Sequence, residues 1–523
     1  MRMLHLTCLL CALFLFSFFT AALAQNEAWI ARYDGAGSTD DIALAMDIDG
    51  SGNIYVAGYS YDNTGNDNVR LVKFSPSGQA LWSVEYDGGY GWDDARALVA
   101  SDDGTVTLAG FTANAADWDV LVIQYAADGT QNWLTKWSGD GFDDGKAIAI
   151  DDAGYIYVAA ESDGPDLSDD IVILRFTPQG ALDWAQRYAG TGGWNDSPTD
   201  IAVTADGVAT VTGTARDTSF DLITLQYTSD GTLQWVHKYD PLGYSYEIGM
   251  AVTVDDNDHA FVVGTELTAA GTNDIVVIHY DTNGSPVWIT TFDGNPNTYD
   301  DAKAIALSDS GQVAITGCSE ISTNNREART ILLDSDGSLL WQALYDGPKL
   351  RGNDCGEVVM FAQGAVLVAG TSEGVLTEDD FVSLQYSMQG ELNWVGRYNG
   401  PTSGDDQITG AKFSATDGTL VVSGVSPAQT VDFAVIKYDL ASDDDDLTDD
   451  DDAADDDDTI DDDDSIDDDD AVDDDDIAAD DDAIDDDDNA ADDDDSDDDD
   501  DDSVQGGTGN SNDEDDSDGC CGC

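Results

Sequence analysis

The chain has 523 residues, with 109 Asp and Glu against 19 Lys and Arg, so its formal net charge is −90. A field of that sign excludes nucleic acid as a partner and favours cations, basic proteins or a saline surrounding. Hydrophobic residues make up 41% of the chain, enough for a large core, and the length admits two or three ordinary domains or one long repeat array.

At the N-terminus, Arg2 precedes an apolar run from Leu9 to Phe19 and then Ala22-Leu23-Ala24. This is the basic, apolar, small-residue order of a secretory signal. Residues 1–24 are therefore expected to be removed, leaving Gln25 first in an exported protein. The expected destination is the extracellular space or the outer cell surface, with the periplasm as second choice. The apolar run is too short for a comfortable membrane span, and no later stretch approaches the ~20 apolar residues one needs.

From there to residue 440 the chain repeats. Tryptophan recurs at Trp29, Trp82, Trp133, Trp184, Trp235, Trp288, Trp341 and Trp394, at intervals of 51 or 53 residues. Each interval holds four strand-like segments. Examples are a small-residue one (Ala147-Ile-Ala-Ile-Asp151), then Ile156-Tyr-Val-Ala159, then Val120-Leu-Val-Ile-Gln-Tyr125, then Trp82-Ser-Val-Glu-Tyr-Asp-Gly88. They are rich in Val, Ile, Tyr and Ala, and Asp-Gly and Gly-Asn turns separate them. Four short strands cannot bury both faces of their own sheet, so the units must stack around an axis. The expected fold is all-β, an eight-bladed β-propeller over residues 25–440. Small side chains fit where blades converge, which puts the Ala-rich strand innermost and the Trp strand outermost. On that phase the inner strands run from near Asp41 to near Asp405. The stretch Trp29 to Tyr33 is an orphan outer strand that completes the eighth blade, whose other strands end at Tyr438, and so removes an open sheet edge.

The run from Asp40 to Ser60, echoed at Asp143 to Ser162 and Asp300 to Ser319, resembles the bacterial β-propeller repeat family often called the seven-bladed propeller repeat, here with eight units. That resemblance implies a secreted or surface protein and the propeller fold. It assigns no activity, since most members have none assigned. A second resemblance lies in Tyr125-Ala-Ala-Asp-Gly-Thr-Gln-Asn-Trp133, which is similar to the tryptophan-docking repeat of eight-bladed quinoprotein dehydrogenases and of an outer-membrane assembly lipoprotein. Quinoproteins stack their quinone on a vicinal disulfide within the propeller. The only adjacent cysteines beyond residue 24 are Cys520 and Cys521, far out in the tail, which argues against the cofactor.

Two acidic sets follow the repeat. Asp41, Asp93, Asp143, Asp196, Glu247, Asp300, Asp354 and Asp405 precede the inner strands. Asp119, Asp170, Asp221, Asp274, Asp380 and Asp432 precede the aromatic that ends each third strand, with Asn68 and Ala328 breaking the set. Both sets should crowd one face of the ring, where carboxylates need counter-charge or calcium. Asp41, Asp93, Asp143, Asp196, Asp300, Asp119, Asp170, Asp221 and Asp274 are the candidate metal ligands. The other reading is that each Asp accepts backbone N–H bonds within its own turn. On the opposite face, turns such as Asp47 to Asn53 lack the closing glutamate of a calcium loop and read as hairpins.

The histidines fall in slots that other repeats fill with varied residues. His279 stands where Lys73, Gln124 and Arg175 stand elsewhere, so it reads as a solvated strand residue. There is no zinc spacing, Gly-x-Ser-x-Gly elbow or His-x-Glu pair. Repeats six and seven are interrupted by Arg326, Arg329 and Arg351, a candidate basic partner-binding patch on an acidic body. Cys318 and Cys355 should lie on one face of neighbouring blades, either as a disulfide suited to an exported chain or as two small core thiols.

From residue 441 the composition changes: 46 acidic residues and no Lys or Arg. Residues 441–519 read as a self-repelling spacer, and the Asp-Asp-Asp-Asp repeat from Ser442 to Ser503 would reach at most about 200 Å. It could condense cations. The terminal Gly-Cys-Cys-Gly-Cys offers Cys520, Cys521 and Cys523 as an envelope anchor over residues 520–523. Together these features predict a displayed binding, adhesion or scaffold propeller without catalytic activity. It would take a protein or glycan ligand on its face, with calcium as the one cofactor in view. The competing classes are a propeller enzyme, quinone-dependent or polysaccharide-active, and an envelope-assembly scaffold.

Overall fold

A computed structural model describes residues 27–440 apart from 36–38, 63, 166–167, 192, 244–245, 295–297 and 324. The expected signal peptide, the acidic spacer and the anchor cysteines Cys520, Cys521 and Cys523 lie outside the described residues. The chain divides into Met1–Asp446 and Leu447–Cys523, and only the first of these contains described residues.

Every regular element among the described residues is a strand, and the strands form eight four-stranded antiparallel sheets. Blade 1 is Asp41–Ile48, Ile54–Tyr61, Asp67–Phe74 and Ala80–Tyr86. Six more blades follow in the same order. In blade 8 the strands Gln407–Ser414, Thr419–Pro427 and Val431–Asp439 are joined by the N-terminal strand Glu27–Tyr33, which pairs antiparallel with the third. The orphan strand expected from Trp29 to Tyr33 thus closes the ring. Inner strands of neighbouring blades lie against one another, including those of blades 8 and 1.

The core consists of eight interblade layers. Tyr55, Ala57, Val69 and Leu71 of blade 1, for example, pack against Ala95, Leu108, Leu121 and Ile123 of blade 2. Each inner strand carries a bulge, in blade 1 between Ala43 and Ala45. There the second-strand Gly58 comes so near that a Cβ would sit 1.9 Å from the Ile42 carbonyl oxygen, which is why Val-Ala-Gly recurs. Outermost, six of the eight tryptophans donate Nε1–H to a carbonyl in the third–fourth hairpin of the next blade at 3.0–3.1 Å, as Trp133 does to Pro178. Trp235 instead bonds Gln226 Oε1 in its own blade, and Trp394 packs edge-on against Tyr438. The repeated tryptophan is therefore an interblade dock.

Candidate functional site: an acidic and aromatic face

The starts of the first strands and the hairpins between second and third strands share one face, and both acidic sets line it. Asp41, Asp93, Asp143, Asp300, Asp354 and Asp406, together with Asp196 just ahead of its strand, are buried. Each accepts the N–H of a glycine in the loop from the previous blade, Gly35, Gly88, Gly139, Gly294, Gly347, Gly400 and Gly190 respectively, at 2.5–2.9 Å. Opposite five of them in register stands a Ser or Thr, Ser60, Thr112, Ser162, Ser319 and Ser372, and the Ser426 hydroxyl bonds Asp406. Burial pushes these carboxyls above their ordinary range, Asp143 to about 6, against the pull of the hydroxyl and the glycine N–H. The first set is thus a set of turn clamps. The structure moves the eighth member by one residue: Asp405 is exposed, and Asp406 holds Gly400.

Three members of the second set pair with arginines. Asp170 meets Arg187 at 2.8 Å, Asp380 meets Arg397 at 3.0 Å and Asp432 meets Arg32 at 3.0 Å. In register the same fourth-strand slot holds Lys136 in blade 2 and Lys238 in blade 4. In blades 1 and 6 the cation has crossed to the third strand as Arg70 and Arg329, opposite Glu85 and Leu344. Blade 6 corrects a second expectation. Glu327, not Ala328, lies opposite Ser319, and Ala328 faces Cys318 in the core. The third strand of blade 6 ends on Leu333, so counting back from an aromatic misplaces the slot.

Of the candidate metal ligands, the described residues bring Asp41 together with Asp34 and Asp432, Asp221 with Asp240 and Glu247, and Asp274 and Asp300 with Asp293. Asp93, Asp143, Asp119, Asp170 and Asp196 join no such three-ligand group among the described residues. The three arginines of the expected basic patch take different places. Arg329 is 4% exposed, bonded to Ser319 and Gln342 and 3.8 Å from Asp300, because it serves as its blade's counter-charge. Arg326 is paired with Asp301, and Arg351 is exposed in a left-handed turn. His279 is not a solvated residue: it is buried and stacked on Phe261 with ring centroids 4.2 Å apart. Cys318 and Cys355 form a disulfide between blades 6 and 7. On the opposite face Asp49 accepts the N–H of Ser51 and Asn53 as a hairpin turn.

The same face carries exposed aromatic side chains. Trp92, Phe142, Tyr246 and Tyr299 each stand immediately before a first-strand acid, and Tyr90 and Trp194 lie in the same loops. Between blades 2 and 3 they converge. Trp118 stacks on Phe111 at 4.4 Å and meets Trp92 at 6.0 Å and Phe142 at 5.2 Å edge-on. A cleft beside them is lined by Trp118, Phe142, Asp144, Lys146, Glu161 and Asp169. Burial, with Glu161 and Asp163 nearby, pushes the Asp169 carboxyl up, and burial lifts Asp94 to about 7. On this face Arg216 already lies over Trp194 at 4.3 Å and Phe220 at 4.7 Å. The signal for these aromatics is the repeated aromatic-Asp-Asp triplet at Trp92, Phe142 and Tyr299, which a search for acidic positions alone passes over.

No known family profile matches the chain, and no curated protein matches it. Solved structures do. Sqt1 of Chaetomium thermophilum, solved bound to the N-terminus of the ribosomal protein L10, is 14% identical over 80% of this chain and 100% of its own, with a TM-score of 0.51. The periplasmic gluconolactonase of Pseudomonas aeruginosa is 14% identical over 68% and 97%, at 0.43. The propeller domain of the Trilobed protease of Pyrococcus furiosus is 10% identical over 68% and 96%, at 0.40. At such identities the Sqt1 likeness establishes the propeller fold and nothing of ligand or activity.

Proposed function

We propose that this chain is an exported, surface-displayed capture module without catalytic activity, whose acidic and aromatic face takes a Lys- or Arg-bearing segment of a protein partner. The observation that carries this reading is the group Trp92, Trp118 and Phe142 beside the Asp169 carboxylate and the Asp144 and Glu161 carboxylates that share Lys146. Aromatic faces attract a guanidinium or ammonium, by roughly 0.5–2 kcal/mol each according to desolvation, and adjacent carboxylates supply the long-range attraction that guides a basic chain to them. Arg216 over Trp194 and Phe220 shows the same contact within the molecule. Export is supported by the signal-like N-terminus and by the disulfide, which persists in oxidising compartments, and the resemblance to secreted propeller repeats agrees with it.

The test uses the full chain and an unstructured Arg- and Lys-rich peptide at about 0.3 M salt, where attraction to exposed acidic residues is largely screened. The Trp92→Ala/Phe142→Ala double variant should bind about ten-fold more weakly or worse. Equal affinity of variant and wild type would sink the proposal. Loss of binding to a neutral oligosaccharide, with peptide binding unchanged, would make the face a glycan site instead.

A further inference from the structure

We infer that the loop between blades 6 and 7 is a processing site, where a Lys- or Arg-specific endopeptidase cleaves the chain after Arg351, and that the two pieces remain one propeller joined by the Cys318–Cys355 disulfide. The inference goes beyond the capture reading and involves none of its residues.

Of the 19 Lys and Arg, Arg2 belongs to the expected signal peptide and none lies beyond Lys437. Sixteen of the other eighteen lie in strands, and only Lys349 and Arg351 lie in a loop. An endopeptidase takes its substrate as an unpaired segment, so a residue in a sheet is shielded unless its blade opens. From Gly347 to Asn353 the loop has two cations and no acid. On a body of the opposite sign, it is the segment that suits a protease with an acidic specificity pocket. Leu350, 85% exposed, and Arg351 form its tip. Arg351 is one of three non-glycine residues at positive φ among the described residues, at +65°, and cleavage releases the strain of holding a side chain there. Lys349 is less available, because its ammonium pairs with Glu373 and its carbonyl accepts the Gly352 N–H at 2.9 Å. Opening the tip breaks that bond and those that Gly352 and Asn353 make to Arg326 and Glu373, and leaves every four-stranded sheet intact. Arg326, at the start of its strand, is paired with Asp301 and followed by the acid Glu327.

A second observation is independent of the loop's charge. The one disulfide among the described residues spans 37 positions, and Arg351 lies inside that span. It joins the second strand of blade 6, Val313–Ser322, to the first strand of blade 7, Asp354–Ala362. A cut after Arg351 separates the N-terminal strand and blades 1 to 6 from the strands of blades 7 and 8, and the smaller piece is then held at both ends. At one end the disulfide fastens it to blade 6. At the other, Glu27–Tyr33 of the larger piece pairs with Val431–Asp439 to complete blade 8. Hydrolysis consumes one water at the Arg351–Gly352 peptide bond, leaving a carboxylate on Arg351 and an amine on Gly352, and the disulfide keeps its oxidation state.

The experiment is limited digestion of the native, unreduced full chain with trypsin, read by fragment mass and by denaturing gels with and without reductant. Wild type should be cut once within residues 25–523, with Gly352 as the new N-terminus. The cut chain should run as one species until it is reduced and then as two, and before reduction it should still unfold cooperatively. The Lys349→Gln/Arg351→Gln double variant should be cut about a hundred-fold more slowly or worse, because the acid of the protease pocket is left without a partner. Its unfolding midpoint should match wild type, as expected for surface substitutions. Lys412→Gln removes a strand cation whose side chain is more exposed than that of Lys349, 53% against 41%, and should be cut like wild type. A first cut at any strand residue, or equal cutting of wild type and the double variant, would overturn the site. Loss of cooperative unfolding in the cut, unreduced chain would overturn the two-piece propeller.

Discussion

The tryptophan dock makes a quantitative claim that one glycine can test. Gly180, in the third–fourth hairpin of blade 3, has φ +80°, and a Cβ there would lie 2.3 Å from Cδ2 of Trp133 of blade 2. The same contact holds two hydrogen bonds, Trp133 Nε1 to the Pro178 carbonyl at 3.1 Å and Thr135 Oγ1 to the Gly180 carbonyl at 2.6 Å. In Gly180→Ala the left-handed backbone costs about 1–2 kcal/mol. The stiffer unfolded chain returns about 0.4–1 kcal/mol. The displaced indole would lose about 1 kcal/mol of hydrogen bonding and about 1–2 kcal/mol of apolar contact. The expected destabilisation is therefore about 2–4 kcal/mol by those terms. Gly271 is the control: its φ is +84° and nothing lies within 4 Å of a Cβ, so Gly271→Ala carries the backbone cost alone, about 0.5–1 kcal/mol. Urea unfolding of the two variants and wild type reads the difference. Equal losses at the two positions would refute the dock as an energetic contact between blades.

Two further outcomes follow from the same geometry. Replacing Cys318 and Cys355 together by Ala removes a cross-link of 37-residue separation, which should lower stability by about 2–4 kcal/mol in denaturant unfolding under oxidising conditions; a change under about 0.5 kcal/mol, the range of an ordinary surface substitution, would show that the cross-link restrains nothing. Burial lifts the Asp94 carboxyl to about 7, with Asp67, Asp144 and Asp93 adding to the rise and Arg96 opposing it. The folded chain therefore keeps a proton that the unfolded chain has released, so this group's contribution is fully present only below the ordinary carboxylate pKa of about 4 and is lost progressively as pH rises to about 7. Calcium-free wild type should lose stability relative to Asp94→Asn between pH 5 and pH 8, by an amount on the order of a few kcal/mol, and a constant gap between the two would exclude the shift.

The blade count, the strand order, the closing strand and the interblade tryptophans were legible because repetition amplifies weak local signals: eight copies of one turn and one aromatic leave few alternatives. The same averaging misled at single positions. The true slots lie one residue away from Asp405 and Ala328, at Asp406 and Glu327, the second because its strand ends on Leu333 and not on an aromatic. Arg329 looked like surface charge because its neighbours in sequence are Arg326 and Glu327, whereas its structural neighbours are Asp300, Ser319 and Gln342. His279 occupies a slot that is polar elsewhere, yet Phe261 gives it a ring to stack on and burial follows.

In an array of near-identical blades, function must come from the places where the copies differ, because a feature shared by all eight is sufficiently explained by the need to build a blade. Asp41 and the six other aspartates of that set fail as a special site on that ground: each is answered by a glycine N–H. Blades 2 and 3 differ by concentrating exposed rings beside carboxylates, and blade 5 differs by holding Thr291 and Val276 where the other blades carry a Lys or Arg. The acidity of the face also links the two departures. A body short of Lys and Arg keeps at least six of those it has as counter-charges in the acidic ring. Arg96 and Arg216 lie over rings of that face, and a basic side chain from outside is the kind of partner such a surface recruits.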